Sequence, residues 1–172
     1  MNLLIFGLGY AAHAVARQQL ALGVRVTATV RGRAKAARLA DEGIVARVFS
    51  GTERDGAIDD DIAAADAALI SIPPVEGEDL VLRNCARALA AAPSLRWIGY
   101  FSTVGVYGDR GGAWVDETTP VAPTEARSKT RAGIERAWLA FGETHRRAVQ
   151  LFRISGIYGP GRNALAQLAA GT

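Results

Sequence analysis

Near the amino terminus the apolar run Leu3-Leu4-Ile5-Phe6 passes directly into Gly7-Leu8-Gly9-Tyr10-Ala11-Ala12. The pattern predicts a buried strand that turns sharply into a helix. Glycine at 7 permits the turn, glycine at 9 lets a diphosphate approach the backbone, and the small Ala12 lets the helix pack closely on the strand. The first N–H groups of such a helix have no intrahelical acceptor and can bind phosphate oxygens. Gly7, Gly9, Tyr10, Ala11 and Ala12 are therefore candidate contacts to a dinucleotide. Glycines at a strand end are common turn residues, so the spacing gains weight only from the element order around it.

Sites of this kind commonly place an acid about 20 residues further on, where it accepts from the ribose 2′-hydroxyl. This chain instead carries Arg31-Gly32-Arg33, followed by Lys35. Guanidinium groups grip a phosphate through two parallel hydrogen bonds, so Arg31 and Arg33 point to NADP, with NAD the alternative. The plainer reading places these cations on the solvated start of a helix. Further along, Ser71-Ile72-Pro73-Pro74 leaves a fourth apolar run. Ser71, Ile72 and Pro73 are candidate cofactor contacts, although an ordinary turn also explains them.

The elements that must position these residues alternate along the chain. Apolar runs predict strands over 2–6, 24–30, 44–49, 67–72, 95–102 and 147–153, and helical patterns fill 11–22, 33–42, 79–92 and 124–141, with a short helix from about Asn163. Alternation of this kind predicts a doubly wound parallel sheet of the Rossmann type, a three-layer α/β/α sandwich with its ligand crevice at the carboxyl ends of the strands. Asp59-Asp60-Asp61 reads as a solvated charge cluster before Ile62. The glycine-rich segment 104–123 is too long for a plain connector and reads as a functional loop.

Four local signatures, taken together, resemble the N-terminal part of an extended short-chain dehydrogenase/reductase of the NAD-dependent epimerase/dehydratase family, in particular its atypical members. They are the Gly7 turn, Ser102-Thr103-Val104-Gly105-Val106-Tyr107-Gly108, the stretch from Pro123 through Ser128-Lys129, and the stretch from Arg153 through Tyr158-Gly159-Pro160-Gly161. The resemblance implies hydride chemistry carried by a Ser or Thr, a Tyr, and a Lys four residues after the Tyr. On this chain it puts the hydroxyl at Thr103 and the lysine at Lys129, which would also touch the cofactor. A lysine in that position lowers a phenol's pKa toward neutrality, so that the phenol can give and take a proton. Four residues before Lys129 stands Glu125, which cannot replace a phenol, because a carboxylate beside an ammonium stays ionised. Thr124 and Glu125 fit a helix N-cap and first turn instead. Tyr107, four residues after Thr103, is a stand-in acid, and Tyr158 another; each also suits amphipathic packing. Asp116 and Glu117 resemble the acidic position of the family's active-site loop. The family further implies a nucleotide-sugar or similar carbonyl substrate, a homodimer through the helices at 79–92 and 124–141, and a C-terminal region that closes the substrate pocket. The chain stops where that region would begin.

Bulk properties set outer bounds. The 172 residues suit one domain, 1–172. Scattered cations and a net charge of +3 give no stripe for nucleic acid. No apolar run approaches the ~20 residues of a membrane span, and the start lacks a signal-peptide pattern. One cysteine, Cys85, excludes an internal disulfide and says little more about compartment; the cytoplasm is the default expectation. His13 and His145 have no partner spacing for a metal, and none is expected. Trp97, Trp114 and Trp138 read as core or interface anchors. Two readings of function follow: an NADP-dependent oxidoreductase or epimerase, or a non-catalytic NADP-binding redox sensor or scaffold.

Overall fold

Six apolar runs pair side by side as parallel strands: β1 (Asn2–Phe6), β2 (Arg25–Val30), β3 (Val45–Val48), β4 (Ala67–Ile70), β5 (Trp97–Thr103) and β6 (Ala148–Ile154). The computed structural model describes residues 1–50, 53–169 and 171. The strand order is β3-β2-β1-β4-β5-β6, so the winding reverses between β1 and β4. That reversal opens a crevice outside the carboxyl ends of these two strands, where ligands bind in sheets of this type. Phe6 lies beside Ile70, and the Ser71 N–H donates to the Phe6 carbonyl at 2.8 Å, carrying the ladder to the lip of the crevice.

Both faces of the sheet are apolar, as parallel strands require. Leu3 and Ile5 of β1 join one cluster with Ala12 and Ala16 of α1 (Tyr10–Ala21) and Leu39 of α2 (Arg33–Ala40). Leu4 and Phe6 join the other, packed on α3 (Ile58–Ala64), α4 (Leu80–Ala91) and α5 (Ala126–His145). A short α6 spans Ala164–Ala169. The expected three-layer doubly wound architecture is present. Among the described residues no helix is long and apolar enough to cross a membrane.

Three local expectations are corrected. Asp59 and Asp60 are exposed, as a solvated cluster should be, but with Asp61 they form the first turn of a helix, α3, whose Ile58 and Ile62 are completely buried. The acids suit the positive helix end; Asp61 pairs with Arg47 at 2.6 Å, and Asp59 pairs with Arg54. Second, Thr124 does not cap α5. Glu125 is the capping residue, with extended backbone and no side-chain hydrogen bond, and the helix runs on past 141 to His145, where Arg146 turns into the left-handed region. Third, Trp114 is fully exposed and so does not anchor the core, whereas Trp138 is buried there as expected.

The α4 start shows how the core fixes an element. Asp79 accepts from the Val81 and Leu82 N–H groups, both at 2.9 Å, and its second oxygen accepts from Trp138 Nε1 at 3.1 Å. One buried carboxylate thus caps α4 and ties it to α5.

Candidate functional site

The turn after β1 is held from behind. Gly7 N–H donates to Thr29 Oγ1 at 2.8 Å and Leu8 N–H to the Thr29 carbonyl at 3.0 Å, so fully buried Thr29 on β2 sets the turn's direction. Gly7 has φ +89°, and a Cβ there would lie 2.7 Å from Ile72 Cγ1 and 3.1 Å from the Ile72 nitrogen. Only glycine serves at this position. Ile72 therefore stands against the turn, with Ser71 and exposed Pro73 on either side along the chain.

Gly9 is the N-cap of α1, in extended backbone, and a Cβ there would meet nothing within 4 Å. No side chain caps the helix and no acid lies in its first turn. The N–H groups of Tyr10, Ala11 and Ala12 thus begin a helix with neither an intrahelical acceptor nor a carboxylate to serve them. Ala12 is fully buried against the sheet, allowing the close packing expected of it. Tyr10 reaches across the crevice, its hydroxyl donating to the Pro160 carbonyl at 3.1 Å while the Arg162 guanidinium stacks over its ring.

The cations after β2 differ in their commitments. Arg33 pairs with Glu53 at 2.6 Å, both side chains well exposed. Lys35 Nζ donates to the Leu8 carbonyl at 2.6 Å, which brings an ammonium to the glycine turn. Among the described residues nothing pairs with the exposed Arg31 side chain. A hollow of about 290 Å³ opens between the turn and α2, lined by Leu8, Gly9, Lys35 and Arg38, with the His13–Glu42 pair (2.7 Å) at its border.

On the other half of the sheet, Thr103 ends β5 and opens a 3-10 turn, Val104–Tyr107. Its Oγ1 accepts from the Gly105 N–H at 3.2 Å, leaving the hydroxyl proton available to a ligand. A Cβ on Gly105 would lie 2.7 Å from Ser128 Oγ and 3.5 Å from Thr103 Oγ1. The absence of a side chain at 105 thus lets the start of α5, which carries Lys129, close on the end of β5. Lys129 is exposed, and among the described residues nothing pairs with its ammonium group. Glu125 is exposed at the cap of the same helix.

Tyr107 points into the protein. Its hydroxyl donates to the Asp116 carbonyl at 2.8 Å and accepts from Arg153 Nη1 at 3.0 Å, with the guanidinium also over its ring at 4.8 Å. Arg153 in turn grips Glu135, at 2.9 Å from Nη2 and 3.2 Å from Nε, and Ser102 Oγ donates to the same carboxylate at 2.5 Å. Hydrogen bonding to Glu135 raises the Arg153 pKa further above its ordinary value, so this guanidinium is permanently charged. Asp116 accepts from the N–H and hydroxyl groups of Thr118 and Thr119, which hold its carboxyl below the usual range. Tyr158 is largely exposed. Glu135 and Thr29 escaped the reading of the sequence, because neither belongs to a recognisable local pattern and each gains its partner only through the sheet.

Comparison with known proteins agrees with this fold. No family model and no curated protein sequence matches the chain. Among solved structures, a conserved protein of unknown function from Silicibacter pomeroyi is 38% identical, with a TM-score of 0.80 over 94% of this chain and 56% of that one. A Methylobacillus flagellatus protein provisionally named an NAD-dependent epimerase/dehydratase is 28% identical, with a TM-score of 0.69 over 94% of this chain and 56% of that one. The dTDP-glucose 4,6-dehydratase of Bacillus anthracis, solved in complex with NAD, shares the fold at 16% identity, with a TM-score of 0.78 over 99% of this chain and 62% of that one. The chain therefore spans 56–62% of the length of these three structures.

Proposed function

We propose, from the premise that this chain resembles the N-terminal part of the NAD-dependent epimerase/dehydratases of the extended short-chain dehydrogenase/reductase superfamily, that it binds NADP and serves an oxidoreductase or epimerase acting on a nucleotide-sugar or related carbonyl substrate. The observation that carries this reading is the α1 turn: uncapped N–H groups, no acid, and open space at Gly9, with an exposed Arg31 that has no partner among the described residues just past the end of β2. A negatively charged diphosphate satisfies those donors and the positive helix end together.

In this reading Gly7, Gly9, Tyr10, Ala11 and Ala12 hold the diphosphate, Arg31 and to a lesser degree Arg33 take the 2′-phosphate, and Ser71, Ile72 and Pro73 border the crevice. Bound NADP would supply the site that accepts or donates hydride. The chain's own residues do the rest. The Thr103 hydroxyl, oriented by Gly105, donates to a carbonyl oxygen, and the Lys129 ammonium steadies negative charge building on that oxygen. Tyr107 is assigned no proton transfer here, because its oxygen already serves Asp116 and Arg153. Substrate selection is placed in a further C-terminal region, in keeping with the greater length of the matched structures. A homodimer through α4 and α5 belongs to the same proposal, and a monomeric mass in solution would remove it.

Calorimetric titration tests the cofactor assignment. Arg31→Ala is expected to narrow the ratio of NADP to NAD affinity, and an unchanged ratio would show that the 2′-phosphate lies elsewhere. A second reading, a non-catalytic NADP-binding sensor or scaffold, is favoured by one feature: an exposed glutamate, Glu125, stands where the proton-carrying phenol would be. NADPH consumption with sugar nucleotides that disappears in Lys129→Ala would defeat it. Tight binding without turnover over a broad carbonyl panel would support it.

A further inference from the structure

We infer that Glu135, Arg153 and Tyr107 form a positioning unit for the nicotinamide half of the dinucleotide site, separate from the glycine turn that holds the adenosine half. The inference rests on the reading proposed above.

Glu135 and Ser102 are 3% and 6% exposed, and the Arg153 side chain is 19% exposed. Burying a carboxylate is costly unless every oxygen is served, and a well-packed apolar pair often does as well for stability alone. Here the carboxylate is served by Ser102 Oγ, Arg153 Nε and Arg153 Nη2, while Arg153 Nη1 reaches Tyr107 and Tyr107 reaches Asp116. One ion pair therefore joins five segments: the end of β5, the middle of α5, the end of β6, the 3-10 turn and the loop beyond it. All of these except the middle of α5 meet at the carboxyl edge.

Thr103 lies between the two anchored ends of this unit. Ser102 precedes it on the strand, and Tyr107 closes the 3-10 turn that Thr103 opens. Doubly wound sheets bind one mononucleotide on each half, and Thr103 lies on the half opposite the glycine turn. Loosening the unit therefore lets the 103–107 turn and the loop to 123 drift, while Gly7, Thr29 and α1 stay in place. Tyr107 acts as a strut between Arg153 and Asp116, and its hydroxyl is what makes it one.

The test compares NADPH with 2′,5′-ADP, which carries the adenosine half alone, by calorimetry on wild type, Tyr107→Phe and Glu135→Gln. Urea unfolding and amide exchange are followed in parallel. Removing the Tyr107 hydroxyl is expected to weaken NADPH by about three- to tenfold, the worth of one or two hydrogen bonds. Affinity for 2′,5′-ADP stays within about twofold on the same argument, since the adenosine contacts are untouched. Amides of 104–123, including the Ala122 N–H bonded to the Val106 carbonyl, exchange faster. Glu135→Gln moves the same way if it folds. Equal weakening of both ligands, or of neither, would overturn the inference and leave the cofactor reading standing. If wild type binds neither ligand, the cofactor reading itself fails and takes the inference with it.

Discussion

At Gly9 the missing side chain leaves open space at the N-terminus of α1, in a backbone conformation that any residue can adopt. Aspartate there would cap the helix as well as glycine or better, worth a few tenths of a kcal/mol. It would also place a carboxylate where the diphosphate is proposed to sit. Gly9→Asp is therefore expected to hold or raise the urea midpoint while weakening NADPH by more than about tenfold, as like charge at close range requires. A second prediction separates the two arginines. Arg33 already has Glu53 as a partner and Arg31 has none among the described residues, so Arg31→Ala should cost about tenfold or more in NADPH affinity and Arg33→Ala about threefold or less. NADH affinity should change little in either. At this scale the sequence was partly legible. The glycines and cations announce themselves through spacing, but Thr29 joins β2 to the Gly7 turn and the Glu135–Arg153 pair joins α5 to β6, over 18 or more residues of chain, and no local pattern encodes that.

Elements were easier to read than their ends. The six strands show as apolar runs, because parallel strands are buried on both faces. The helix α3 escaped because three consecutive acids outweighed the signal of Ile58 and Ile62, which lie four apart on one face with the acids in the first turn. The structure makes that face part of the core. Ile62→Ala should accordingly cost about 2–5 kcal/mol in urea unfolding, the range for a fully buried isoleucine. A change near zero would mean that α3 is not docked. The start of α4 gives an independent check. Asp79→Ala removes two cap bonds and leaves Trp138 Nε1 buried without an acceptor, a loss of about 2–4 kcal/mol.

For the whole molecule, the order of six parallel strands and the two clusters on opposite faces account for where the crevice falls, and both were foreseeable from the alternation of runs and helices. Stability at high pH should report on the larger cluster. Tyr100 is fully buried between sheet and α5, and burial pushes its phenol from 10.0 up to about 12, against the opposing pull of Arg131. The protonated form is the one the fold favours. That contribution is complete below pH 10 and is lost as pH rises from 10 toward 12, on the order of 2 kcal/mol. Tyr100→Phe should flatten the decline in stability over that window, and an unchanged slope would place its origin elsewhere. The central claim is that an anionic dinucleotide rests on the bare N–H groups of the α1 turn. Titration of NADPH into folded wild type and folded Gly9→Asp tests it most directly. Saturable one-to-one binding is expected, weakened by the substitution by more than about tenfold. Equal affinity in both proteins, or none in the wild type, would contradict it.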